Sequence, residues 1–328
     1  MIKTSFFVIL LSLVFLGCSS KEYYEPKDVE GSIELTDRFD SEIVELSGES
    51  ATLEDGTIIT KSGLEGIRFP QGFRFVYKND DWALALKTGG EIFAVKDENE
   101  SKSLKLSKTI ATVALKDDLL AVVFADNELA LYDFVSGELL FKQPASESTA
   151  VDMRIATPRF LNDLVLFPTL DGKIVIVNAP AKELVRTIIV SSEQYFNNII
   201  YFNVVNDTLY AATPSKVYSL GEKELRVELE SRNMLVNQAG VWVATKQGEI
   251  VSLDHNLNIK KREKFPFAHF LGIVSTDKSI YVAEKQEYII VLDHELNTNL
   301  VYDFDLEEGF FYTSDDGFYF DNVYIRFQ

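Results

Sequence analysis

The chain has 328 residues, of which 46% are hydrophobic and 12% aromatic, enough apolar mass for a substantial buried core. Its net charge of −19, from 51 acidic against 32 basic side chains, would repel a phosphate backbone rather than neutralise it, which argues against nucleic acid as a partner. A single cysteine, Cys18, excludes a disulfide framework and any cysteine-based metal site.

In chain order, the first 31 residues read as a leader and a tether. Lys3 supplies a positive start, residues 6–16 are apolar apart from Ser12, and Phe15-Leu16-Gly17-Cys18 closes the stretch. A run of about 11 residues is short for a bilayer span and suits a secretory signal. The segment resembles the bacterial lipoprotein signal, in which a small residue precedes a cysteine that becomes lipidated and N-terminal. The resemblance implies removal of residues 1–17 and three acyl chains on Cys18. At roughly 0.8 kcal/mol per buried CH₂, two or more chains attach a protein stably to a membrane. An ordinary signal peptide with an incidental cysteine is the other reading. Ser19 stands where Asp would favour inner-membrane retention in enterobacteria, so the periplasmic face of the outer membrane is the expected location. Residues 18–31 then form a lipidated tether with a reach of some 40 Å and solvated tyrosines at Tyr23 and Tyr24.

From residue 32 onward the chain is all β. Residues 32–37 read as an isolated strand. The clearest stretch is 116–141, with apolar strands at 119–124, 128–133 and 138–141 separated by tight turns that leave no room for a helix. Asp133 is placed to accept backbone N–H groups two or three residues on, and Gly137 to supply a positive φ. The third-strand phase of this meander recurs with starts at residues 56, 91, 128, 173, 216, 249, 288 and 323, spacings of 33 to 45. A period near 40 with four strands per unit signals propeller blades, and eight are expected. After Gly317 the chain offers too few strands for the last blade, so the segment at 32–37 is expected to supply its outer strand and close the ring, hiding two sheet edges. Residues 32–328 are thus one domain.

Polar pairs precede several second strands: Asp80-Asp81, Asp117-Asp118, Asn162-Asp163, Asn206-Asp207 and Asp315-Asp316. They fit hairpin turns better than calcium, since no stretch alternates acidic oxygens with a coordinating glycine. His255 and His294 occupy the same repeat position 39 residues apart and read as turn residues; His269 reads as packed in a loop. No nucleophile elbow, zinc-binding helix or phosphate loop appears, so neither a metal nor another cofactor is expected. The two longest connections, 144–153 and 191–198, are where binding is expected on a rigid ring.

Residues 130–141 resemble the PQQ-type propeller repeat, with Phe141 where that repeat docks a tryptophan between blades. The resemblance does not imply the quinone. Together with the lipoprotein signal, the short tether, eight blades and no evident active site, the chain resembles the BamB family, lipoprotein subunits of the machinery that inserts β-barrels into the outer membrane. The resemblance implies a non-enzymatic, monomeric scaffold. Its partner would be the periplasmic domains of the central barrel subunit, met through loops of the middle blades. Met153 and Arg154 match one such loop, with Arg154 as the cationic contact. Asn197 and Asn198 stand in the next loop, where the family carries acids. The alternatives are an envelope lipoprotein propeller that binds another protein or a surface polymer, and an enzyme working on a quinone or sugar in the central channel.

Overall fold

Each copy of the repeat folds as a four-stranded antiparallel sheet whose strands follow chain order outward from the axis. The computed structural model describes residues 22–96, 100–146, 148, 151–306 and 309–327. Among these, thirty-two strands form eight sheets and no helix is present, an eight-bladed β-propeller as the repeat implies. Seven blades are continuous, at residues 43–68, 74–105, 110–143, 159–189, 201–228, 231–264 and 270–303. The signal segment and Cys18 lie outside the described residues.

Strand period explains why the blades stack. In strand Leu119–Phe124, Leu120, Val122 and Phe124 enter the core shared with the second blade, while Ala121 and Val123 enter the core shared with the fourth. A middle strand is buried on both faces and therefore reads as a continuous apolar run. Each of the eight apolar clusters draws on two adjoining blades, and the one at the seam joins Ile43, Ala51 and Ile59 of the first blade to Tyr312 and Tyr319 of the eighth. Outer strands such as Glu183–Ile189 face solvent.

The turns follow the expected chemistry in part. The Asp133 carboxylate accepts the Ser136 backbone N–H at 2.6 Å and its hydroxyl at 2.7 Å, and Gly137 turns with φ 75°. Hydrogen bonds from Ser136 hold the Asp133 carboxyl below its ordinary value. Asp117, Asn162, Asn206 and Asp207 adopt left-handed backbone with φ from 49° to 57°. The Asp80 and Asp315 pairs do not; side chains of Asn79 and Ser314 bond those turns instead.

The ring closes as expected, but with the closing strand displaced. The outer strand of the eighth blade is Asp37–Arg38, paired antiparallel with Val323–Arg326, and Thr36 and Phe39 donate to Tyr324 and Asn322. Residues 30–33 instead run parallel to the outer strand of the seventh blade: Glu30 donates to Val301 at 2.8 Å, Ile33 to Asp303 at 2.9 Å, and Asp303 to Gly31 at 2.8 Å. The segment thus crosses from one blade to the next, because Ile33 and Leu35 pack into the core between them. The tether also differs from expectation. Tyr24 is 6% exposed and packs edge-on against Phe265 and Tyr288, at ring distances of 5.9 and 5.7 Å, so at least from residue 24 the segment is docked.

Candidate partner-binding face

In every complete blade four antiparallel strands return the chain to the face on which the blade began. All connections from an outer strand to the next inner strand therefore emerge on one face, and the two long ones enter the fourth and fifth blades. The fourth blade's inner strand is only Arg159–Leu161, so residues 151–158 form a loop and Arg154 lies in it.

That loop is held from across the ring. Glu49, in the tight turn at 47–50 of the first blade, accepts the Thr157 hydroxyl at 2.9 Å and the Arg159 guanidinium at 3.1 Å. Arg159 also donates to the Phe202 carbonyl of the fifth blade at 3.3 Å, and Tyr312 of the eighth donates to the Glu49 carbonyl at 2.7 Å. Contacts among four blades that are not all neighbours place these groups at the axis. Burial there pushes the Tyr312 hydroxyl well above its ordinary value and that of Tyr201 up to about 12. Gly48 is required by close approach: a Cβ there would stand 2.5 Å from the Ile155 carbonyl oxygen.

The four residues singled out in the sequence come together, in two different roles. Asn198, fully buried, accepts the Asp152 N–H at 2.6 Å and donates to the carbonyls of Asp152 at 3.1 Å and Arg154 at 3.0 Å. Asn197, 3% exposed, donates to the Asp171 and Ser191 carbonyls at 2.9 and 3.0 Å. Both asparagines therefore shape the loops from inside. Arg154 bonds Asp152 through Nε at 2.8 Å and reaches the Arg232 carbonyl of the sixth blade, so its charge is largely spent within the molecule. Burial alone would raise the Asp152 carboxyl, but the hydrogen bonds and charge of Arg154 outweigh it and hold it low. Burial, reinforced by the nearby Arg154 charge, pulls the Arg232 guanidinium down. Met153 is left outside, 91% exposed.

Two further residues complete the surface. Tyr195 and Phe196 in the neighbouring loop are 52% and 56% exposed, and Phe196 holds a left-handed φ of 51°. An adjacent aromatic pair inside a long connection was the sequence signal for them. Met153, Tyr195 and Phe196 thus stand on two loops whose backbones Asn198 stitches together. Flexible methionine and aromatic side chains suit protein contacts.

The histidines do other work. His255 and His294 each follow a turn aspartate and lean on the blade before: His255 Nδ1 meets the Tyr210 hydroxyl at 2.9 Å, and His294 lies 5.3 Å from the Trp242 ring, whose Nε1 donates to the His294 carbonyl at 3.1 Å. Phe134 does the same to Trp82 at 5.3 Å. His269 is exposed, its backbone N–H held by Glu284 at 2.7 Å. Among the described residues no group of three or more His, Cys, Asp or Glu is arranged to hold a metal ion.

No family model matches the chain. Among curated proteins it is 26% identical over 326 residues to the plasminogen-binding protein PgbB of one Helicobacter pylori strain, an alignment covering 84% of this chain and 60% of that protein. The PgbB of a second strain is 26% identical over 314 residues, covering 80% and 57%. The chain therefore spans about 60% of the length of the curated relatives it matches. Among solved structures it resembles BamB from Moraxella catarrhalis, with TM-score 0.68, 15% identity and coverage of 90% of this chain and 99% of that one. It also resembles the C-terminal WD40 domain of Sif2, with TM-score 0.66, 11% identity and coverage of 92% and 99%. The chain is thus BamB-like in fold, an eight-bladed propeller, and similar in sequence to propeller-length portions of plasminogen-binding proteins.

Proposed function

We propose that this chain is a non-enzymatic propeller scaffold of the cell envelope, monomeric, held to the periplasmic face of the outer membrane by a lipid on Cys18, that captures another protein on the face carrying its long connections. The carrying observation is that Met153, Tyr195 and Phe196 are exposed on two loops that Asn198 ties together. Loops locked before binding lose little entropy on association. The axis, where a propeller enzyme would bind its substrate, is crossed by Glu49 and Arg159. By fold the favoured partner is the barrel-assembly machinery, through the periplasmic domains of its central subunit.

A second reading rests on the sequence relatives: the partner is plasminogen, the ligand that the name of the Helicobacter proteins gives. One experiment separates the two. Crosslinking in intact envelopes followed by affinity purification should recover barrel-assembly subunits under the first reading. Under the second it should not, and the purified chain should retain plasminogen on a column. Met153→Glu should weaken whichever capture is seen. Recovery of neither partner by the unaltered protein would overturn both.

A further inference from the structure

The segment that leads into the ring restricts where a membrane can lie. Tyr24 plugs the seam between the sixth and seventh blades, and residues 30–33 pair with the seventh blade's outer edge, so the segment is strapped down at both points. Burial pushes the Tyr24 hydroxyl up to about 12. Between Cys18 and the first described residue, Glu22, lie four residue steps, which span at most about 14 Å. A lipid on Cys18 therefore cannot stand a full tether's length away from the ring. It must lie beside this rim.

The rim is built for such a neighbour. Tyr23 is 50% exposed, Phe267 59% and Leu300 42%. With Lys27 and Lys264, and with the carboxylates of Glu25, Asp28, Glu30 and Glu263, they line a cavity of about 590 Å³ between strap and rim, so apolar and aromatic contact rather than net positive charge is what the rim offers a membrane. Phe267 follows Pro266 in a turn closed by Ala268 donating to the Phe265 carbonyl at 3.1 Å, and its φ is 64°. A bulky residue pays about 1–2 kcal/mol for that left-handed conformation, which glycine adopts freely. An exposed tyrosine and lysines with apolar stems suit a bilayer's headgroup level, and a half-exposed phenyl ring beside them suits the boundary between headgroups and acyl chains.

We infer that the rim of the sixth and seventh blades is the membrane-facing edge of the propeller, with Tyr23 seated in the headgroup layer, Phe267 at its boundary with the acyl chains, and residues 22–33 acting as a short leash. The inference rests on the lipidation of Cys18 in the proposed function. It sets the disc at a fixed orientation rather than letting it swing.

The test uses the full lipidated chain in vesicles of phosphatidylethanolamine and phosphatidylglycerol carrying headgroup spin labels. Because an acylated Cys18 offers no thiol, Phe267→Cys or Val135→Cys adds a single site for a fluorescent probe. Val135, 62% exposed, lies on the third blade, remote from the strap. Quenching should be several-fold stronger at position 267 than at 135. It should fall to the level of position 135 in Tyr24→Ser, and equally when about twelve Gly/Ser residues are inserted after Ser20, a change that leaves every described contact intact. Equal quenching at the two sites, or quenching at 267 that survives both changes, would overturn the orientation. Mass spectrometry of the N-terminal peptide and vesicle flotation report the anchor separately. An unacylated chain that fails to float would overturn the anchor reading and the orientation with it.

Discussion

Asn198 grips both hydrogen-bonding groups of the Asp152 backbone, the N–H at 2.6 Å and the carbonyl at 3.1 Å, so a residue entering the fifth blade dictates where the loop into the fourth points. Asn198→Ala leaves partly buried backbone groups of Asp152 and Arg154 unpaired and should cost about 1–3 kcal/mol in urea unfolding. It should also weaken partner capture, by releasing the loop. Met153→Glu should weaken capture as much with no change in the unfolding midpoint, since the side chain is 91% exposed. If both variants lower stability alike, the division between holding and contacting residues is wrong.

Gly48 and Ile155 touch across the axis with no room for a methyl group. Gly48→Ala must displace backbone on one side, and an overpacked site of this kind typically costs about 1–3 kcal/mol. Limited proteolysis should cut the 151–158 loop faster in the variant. Unchanged protection would mean that the axial contact does not restrain the loop.

Leu296 sets two effects against each other. It occupies the left-handed position of its turn, φ 58°, three residues after Asp293, as Leu257 does three residues after Asp254 in the sixth blade, yet its side chain is 1% exposed in the core between the sixth and seventh blades. Leu296→Gly relieves about 1–2 kcal/mol of backbone strain. It also removes a buried leucine, whose truncation to alanine alone costs about 2–5 kcal/mol. Burial should win, and thermal unfolding should fall by several degrees. A gain in stability would show that the turn, not the core, governs this position.

Glu284 is fully buried, and burial raises its carboxyl despite the N–H groups of His269 and Gln286 that it accepts. With the folded value above the unfolded one, near 4.3, its favourable contribution is complete below that pH. The contribution is lost as pH rises through the folded value. The wild type should therefore lose stability relative to Glu284→Gln from about pH 4 upward, measured as the difference between their urea unfolding free energies. Asp152 and Asp171, both held low, act in the opposite sense, losing their contribution as pH falls below about 4. A difference that is flat with pH would contradict the direction of the Glu284 shift.

What was legible in the sequence was what repeats. The blade count, the Asp133 turn and the doubly buried middle strands all follow from period and local chemistry. Contacts made once, between positions far apart in the chain, left no such trace. Tyr24 is a polar-flanked tyrosine in an aperiodic segment, and only the socket between Phe265 and Tyr288 explains its burial. Glu49 and Arg159 are separated by 110 residues, and nothing near either announces the other. Asn197 and Asn198 were recognisable as special, but a surface contact and a buried brace look alike in one dimension. The sequence pattern puts the closing strand a few residues early because two short pairings, at 30–33 and at 36–39, share one stretch.

The Asp37–Arg38 strand, paired with Val323–Arg326, also has a temporal meaning. A chain delivered from its N-terminus presents this strand first and must wait for nearly every later residue before its mate exists. Until then one seam stays unsealed and its aromatic lining, Phe39, Tyr319 and Tyr324, cannot stack. Losing the last few residues should therefore be felt at both ends of the polypeptide at once, as an open ring prone to self-association rather than as a propeller with a frayed tail.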